Sequence, residues 1–180
     1  VLWMLQTRTG KRTGMAAIQM AVDMVDAGMI SKEEGVLRIN PEQINDLLHP
    51  MLNKKEEKNA KVIARGLPAG PGGSVGQIVF SADEAERQAN DGKKVILVRD
   101  ETSPEDVHGM HAAEGVLTAK GGMTSHAALV ARGWGKCCIV GSSTLNIDVS
   151  KKEISIDDIT LCEGDWISMN GSKGTVYEGQ

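Results

Sequence analysis

The sequence predicts a compact α/β domain with a β-rich end, preceded by a helical appendage. Three observations predict it. Residues 13–50 carry three helix-start signals in succession. From residue 61 short apolar runs alternate with capped, helix-like stretches. After residue 142 only short alternating segments remain, separated by turn residues.

In chain order, Val1-Leu-Trp-Met-Leu-Gln-Thr-Arg8 reads as a buried strand ending in polar side chains. Val1 lies inside that strand pattern, so a native start there is not expected. A helix is predicted from about Thr13 to Ala27, with Ile18, Ala21, Val22 and Val25 on one face and Gly28 at its C-terminal cap. Ser31 and Glu34 have capping-box spacing, which starts a second helix at Lys32. Asn40-Pro41 starts a third, running to about Leu48 and stopping before Pro50. Lys54 to Lys61 is charged and aperiodic and reads as a solvated linker. Strands follow at 61–65, 76–80, 94–98, 115–118 and 137–140. Helices are expected at 82–90 (capped by Ser81), 104–112 and 126–133. The tail carries strands near 153–156, 165–169 and 174–177. Gly70-Pro-Gly-Gly-Ser-Val-Gly76 lacks the Lys-Ser/Thr ending of a phosphate-binding loop and reads as a turn.

The composition sets limits. Of 180 residues, 41% are hydrophobic, enough for a core, and the formal net charge is −4 with aromatics at 3%. Neither a basic surface nor stacking platforms for nucleic acid are expected. No apolar run approaches the length of a membrane helix, and no signal peptide is visible. Cys137, Cys138 and Cys162 do not form a disulfide pattern and are expected as reduced thiols in a reducing compartment. Adjacent in a strand, Cys137 and Cys138 should face opposite sides of a sheet. His108 and His111 lie three apart on a predicted helix, with no acidic or Cys partner at ligand spacing.

The chemistry concentrates in Gly121-Gly-Met-Thr-Ser-His-Ala-Ala-Leu-Val-Ala-Arg-Gly133. Gly121 and Gly122 permit a sharp turn and a close approach to the backbone. Thr124 or Ser125 can cap the following helix, which puts His126 in its first turn. First-turn N–H groups lack intrahelical partners and the helix dipole adds partial positive charge, so an anionic group is favoured there. An imidazole at that position can attack in line and carry a phosphoryl group covalently. Thr124 and Ser125 hydroxyls can donate to its oxygens. Arg132 could reach the group or pair at the surface. The residues alone give an anion-binding helix start with a nucleophile candidate.

That segment resembles the phosphohistidine signature of enzymes that handle phosphoenolpyruvate (PEP). Met123, Trp134-Gly-Lys-Cys-Cys138, Glu105-Asp-Val-His-Gly-Met-His-Ala-Ala-Glu-Gly115 and Leu5-Gln-Thr-Arg-Thr-Gly-Lys-Arg-Thr13 resemble the pyruvate, phosphate dikinase family within that group. Gly70 and Gly73-Ser74 depart from it, standing where the family usually has Ser and two Ala. The resemblance implies a swivelling phosphohistidine domain of layered β/β/α architecture. It implies three parts: residues 1–15 as the end of a nucleotide-binding domain, 16–65 as a helical linker, and 66–180 as the mobile domain. His126 matches the phosphoryl carrier, with Gly122, Thr124 and Ser125 around the phosphoryl group. Gln6 and Arg8 match positions that contact nucleotide phosphates and their metal.

The implied function is to take a phosphoryl group derived from ATP and pass it reversibly to pyruvate, forming PEP. Mg2+, ATP/AMP and PEP/pyruvate would be bound by other domains of a homo-oligomeric, cytoplasmic or organellar enzyme. In plant members the Thr two residues before the His is a regulatory phosphorylation site, and Thr124 stands there. The alternatives are the carrier domain of a PEP synthase, disfavoured by Met123 and the Cys pair, and a non-catalytic binding module of the same fold.

Overall fold

A computed structural model describes residues 3–7, 12, 14–41, 44 and 47–180. The chain divides into two compact units, Val1–Leu48 and His49–Gln180.

In the smaller unit, helix α1 spans Gly14–Asp26. It ends in a Schellman motif, in which the Met29 N–H donates to the Met24 carbonyl and the Gly28 N–H to that of Val25, each at 2.9 Å. Helix α2 spans Lys32–Leu37. Its capping box is reciprocal: the Glu34 N–H donates to Ser31 Oγ at 3.1 Å and the Ser31 N–H to Glu34 Oε2 at 3.2 Å. Residues 3–7 form no strand, and Trp3, Met4 and Leu5 are exposed, contrary to the strand expected there. No strand among the described residues pairs with them, so their apolar pattern has no sheet to join. Val1, Leu2 and Arg8 of that expected strand lie outside the described residues. So do residues 42, 43, 45 and 46, half of the third expected helix.

The larger unit opens with a correction. Lys54–Asn59, expected as a linker, is helix α3, capped by Asn53, whose side chain accepts from the Lys55 N–H at 3.0 Å. Its anchor is Glu57, whose side chain is 8% exposed. The carboxylate accepts from Asn170 Nδ2 at 2.6 Å, the Tyr177 hydroxyl at 2.8 Å and Lys173 Nζ at 2.7 Å. A charged run without periodicity hides one residue that finds its partners more than a hundred positions away.

Eleven strands follow: β1 Val62–Arg65, β2 Leu67–Pro68, β3 Gly73–Val79, β4 Val95–Arg99, β5 Gly115–Thr118, β6 Cys137–Val140, β7 Asn146–Asp148, β8 Glu153–Ile156, β9 Ile159–Cys162, β10 Trp166–Asn170 and β11 Thr175–Glu178. The large sheet has the order β1-β11-β10-β3-β4-β5-β6-β2. Its centre, β3-β4-β5-β6, is parallel and is joined by helices α4 (Ala82–Asn90), α5 (Val107–Ala112, led in by a 3-10 turn at Pro104–Asp106) and α6 (His126–Gly133). Parallel neighbours need such crossovers. Strand β1, Val62–Arg65, which precedes the residue-66 boundary that the resemblance implies, pairs with β11 of this sheet.

Both faces of the central strands are buried, which makes them continuous apolar runs. Val79, Val95, Leu97, Val116, Cys138 and Val140 pack against alanines of the helices, among them Ala85, Ala127, Ala128 and Ala131. On the other face Ile78, Ile96, Val98, Leu117, Cys137 and Ile139 pack with Ile154, Ile156 and Leu161 of the meander β7-β8-β9. The result is the β/β/α layering, and Cys137 and Cys138 fall on opposite faces. Burial raises both thiols, that of Cys138 to about 12.

Burial pushes the Glu57 carboxyl up, but hydrogen bonds from Lys173, Tyr177 and Asn170 outweigh it and hold it below its ordinary value. A carboxylate lowered on folding stabilises fully above its unfolded pKa of about 4.3, and that contribution is lost as pH falls through the folded value. Glu57→Gln is expected to cost about 1–3 kcal/mol at pH 7. Urea unfolding of both proteins at pH 7 and pH 3 should show the gap narrowing in acid; an undiminished gap at pH 3 would refute the assignment.

Candidate functional site

The carboxyl ends of β4, β5 and β6 meet at one edge of the sheet, the edge where open α/β sheets bind ligands. After Thr118 the chain leaves the sheet, turns through 119–125 and enters α6 with His126 as its first residue. Hydrogen bonds pin this loop to its neighbours. The Ala119 and Lys120 N–H groups donate to the carbonyls of Arg99 and Asp100 at 3.0 and 2.9 Å, and the Ser142 N–H donates to the Thr118 carbonyl at 3.0 Å. The Thr118 hydroxyl donates to the Lys120 carbonyl at 2.6 Å.

Gly121 has φ +99°, and a Cβ there would come within 3.0 Å of the Ser125 side chain. Gly141, at φ +65° just past β6, lies beneath the turn, where a Cβ would come within 2.6 Å of the Gly121 carbonyl oxygen. Together they fix where the loop turns. Gly122 differs, since a Cβ built on it meets nothing within 4 Å. Its flank is open.

Ser125, not Thr124, is the N-cap of α6. Its hydroxyl accepts from the Ala128 N–H at 3.5 Å. Among the described residues no hydrogen bond takes the N–H of His126 or Ala127, so the helix start keeps donors for an anion. Thr124 is exposed and His126 half-buried. Thr102 Oγ1 lies 2.9 Å from His126 Nδ1. Around the ring is a cavity of about 210 Å³, lined by Glu101, Thr102, Thr118, Lys120, Gly121, Ser125, His126 and Ala127. Lys120 Nζ is 3.0 Å from Asp100 Oδ2, a hydrogen bond that raises the Lys120 ammonium above its usual range.

The structure thus gathers Gly122, Thr124, Ser125 and His126 at one loop–helix junction. Gln6 is exposed in the smaller unit, and Arg8 lies outside the described residues. Arg132 reaches back to the Met123 carbonyl at 3.5 Å. His108 Nε2 lies 2.9 Å from Asp83 Oδ1, and His111 packs edge-on against Trp134. Thr102, Lys120 and Glu101 were not singled out from the sequence. They sit on the loops after β4 and β5, whose convergence only the sheet order reveals.

Two glycine substitutions separate these roles. Gly141→Ala should cost about 1–3 kcal/mol from a left-handed backbone and the clash with the Gly121 carbonyl, and should move the amide resonances of residues 121–126. Gly122→Ala should change thermal stability by less than about 0.5 kcal/mol. Equal losses in the two variants would contradict this packing.

Residues 91–174 match the family described as PEP-utilising enzyme, mobile domain. The match spans the 99–103 loop, the 119–125 turn and α6. Over 179 residues, 99% of its length, the chain is 57% identical to pyruvate, phosphate dikinase 1, chloroplastic, of Arabidopsis thaliana, covering 19% of that protein. To pyruvate, phosphate dikinase 2 of Oryza sativa subsp. japonica it is 56% identical over 99% of this chain and 20% of that one. To the pyruvate, phosphate dikinase of Rhizobium meliloti the identity is 52%, with the same two coverages of 99% and 20%. The chain spans about a fifth of the length of these relatives. With this match, and with more than half the chain's residues shared with dikinases from plants and a bacterium, residues 91–174 belong to the family of PEP-utilising enzyme mobile domains.

Proposed function

We propose that the chain is the phosphoryl-carrier part of a pyruvate, phosphate dikinase and that His126 carries the group. The observation that supports this most is the placement of a histidine as the first residue of α6, at a helix start with free N–H donors and beside a cavity of about 210 Å³.

In the direction from PEP, an imidazole nitrogen attacks phosphorus in line. An N–P bond forms, and the bond to the enol oxygen breaks with its electron pair, leaving the enolate of pyruvate. That enolate takes its proton outside residues 1–180. The N–H groups of His126 and Ala127 receive the phosphoryl oxygens. Gly122 leaves the backbone open to them, and the hydroxyls of Ser125 and Thr124 donate. In the other direction the group derives from ATP.

The pyruvate site and most of the nucleotide site would belong to other parts of such an enzyme, which makes this a carrier that travels between them. Gln6 and Arg8 would contribute to the nucleotide site. Mg2+ enters the proposal as a cofactor held elsewhere. Among the described residues no three His, Cys, Asp or Glu side chains come together to hold a metal ion, and no step here runs through one.

The test is phosphoryl transfer from labelled PEP, with a pyruvate-binding domain supplied separately. The expected result is an acid-labile, base-stable label on the chain that His126→Ala abolishes. An unlabelled wild-type chain beside a demonstrably competent donor would defeat the proposal.

Thr124 is the proposed regulatory acceptor. A phosphate on this exposed hydroxyl places about −1.5 to −2 charges two residues from the nucleophile and repels an incoming phosphoryl group. Incubation with ATP and a protein kinase that accepts this threonine should label the chain and block later phosphoryl uptake, and Thr124→Val should prevent both. Equal labelling of Thr124→Val would rule this out.

A further inference from the structure

We propose that Lys120 is the phosphoryl-binding cation of the carrier: its ammonium pairs with Asp100 in the unphosphorylated chain and moves to the phosphoryl oxygens when His126 is loaded. The inference rests on the carrier reading of His126 and deepens it by naming the counter-charge and what holds it in reserve.

A phosphoryl group brings close to two negative charges and three acceptor oxygens into the cavity beside His126. The N–H groups of His126 and Ala127 and the nearby hydroxyls offer donors but no full positive charge. Among the described residues that line the cavity, Lys120 alone carries a permanent positive charge, and Glu101 alone a carboxylate. Without Lys120 the incoming group would face Glu101 uncompensated. Cations clamped on a transferring phosphoryl group are a common means of stabilising it.

The backbone of Lys120 is fixed. Its N–H donates to the Asp100 carbonyl at 2.9 Å, and its own carbonyl accepts from the Thr118 hydroxyl at 2.6 Å and the Gly141 N–H at 3.3 Å. The root of the side chain is therefore held one residue before the Gly121 turn. The side chain itself is 63% exposed, and Nζ lies 3.0 Å from Oδ2 of Asp100, which is 57% exposed. A pair so open to water is readily exchanged, because hydration replaces much of what each partner loses. Lysine suits the exchange, being a compact charge on a flexible stem. Asp100, through its hydrogen bond and its charge, and Glu101, through its charge, raise the ammonium above its ordinary range, so it stays protonated at neutral pH.

The exchange fits a reversible carrier. A cation with no other partner would hold the group too well, and no cation would leave it repelled. Asp100 competes for the ammonium throughout and takes it back when the group departs. No proton moves in the exchange. The covalent step stays as described: the N–P bond forms at the imidazole as the donor P–O bond breaks.

The experiment uses the 180-residue chain as wild type, Lys120→Gln, Lys120→Arg and Asp100→Asn. Both positions are exposed, so wild-type unfolding midpoints are expected. The first readout needs no donor domain. Inorganic phosphate is titrated into 15N-labelled chain while the amides of His126 and Ala127 and the Lys120 ammonium are followed by NMR. Phosphate should shift all three in wild type, bind about tenfold more weakly to Lys120→Gln, and bind within about threefold of wild type to Lys120→Arg. Asp100→Asn, which removes the competitor, should bind at least as tightly as wild type. The second readout is the phosphorylated fraction at a fixed ratio of PEP to pyruvate with the separate donor domain. The ratio of loaded to unloaded chain should fall about 10–100-fold in Lys120→Gln and recover in Lys120→Arg. The proposal is overturned by phosphate that leaves these wild-type resonances unmoved, by Lys120→Gln matching wild type, or by Lys120→Arg failing as badly as Lys120→Gln. An unlabelled wild type beside a competent donor defeats only the carrier reading, and the phosphate comparison still decides whether Lys120 is the cation of this cavity.

Discussion

Burial of both faces of β4, β5 and β6 is the constraint from which the rest of this structure follows. A strand covered on one side by helices and on the other by a second sheet has no solvent face. Its side chains must be apolar or, like Thr118, hydrogen-bonded, and its backbone groups must be paired. Val95–Val98 and Cys137–Val140 satisfy this with unbroken apolar runs. The helices that cover one face meet it largely through alanines, which leaves their starts and the strand ends to set the geometry of the edge.

From that rigid layer the chemistry emerges at one edge. The loops after β4 and β5 leave the sheet side by side, one bringing Thr102 and the other leading into His126. Their relation is set by backbone hydrogen bonds between the two exits and by the ion pair of buried Asp106 with half-buried Arg99, not by the length or flexibility of either loop. Gly121 and Gly141 show how tightly the turn is built, since each has a backbone conformation and a neighbour that exclude a side chain. Gly122 shows where the packing stops and the ligand side begins.

The periphery follows different physics. Helix α3 is held by one acidic side chain that takes three hydrogen bonds from the β10–β11 hairpin. The hairpin β8–β9 turns through Asp157-Asp158 with Asp157 at φ +50°, a conformation that Asp tolerates better than most residues. Neither feature announces itself. The turn lacks the Asn-Gly or Asp-Gly signature, so β9 is not anticipated, and Lys54–Asn59 looks like any charged, solvated stretch.

What the sequence determined by itself is what local chemistry determines. The Schellman cap at Gly28, the capping box at Ser31, the starts of α4 and α6 and the strands at 115–118 and 137–140 depend on residues within a few positions of one another. So does the presence of His126 at a helix start, and the long motif around it carries the family. The tertiary structure alone decided the rest. Thr102 meets His126 across 24 positions, and Glu57 meets Tyr177 across 120. Residues 3–7 have a strand's composition but no sheet partner among the described residues. A hydrogen bond needs its partner in place, and for contacts this distant the order of strands in the sheet supplies it.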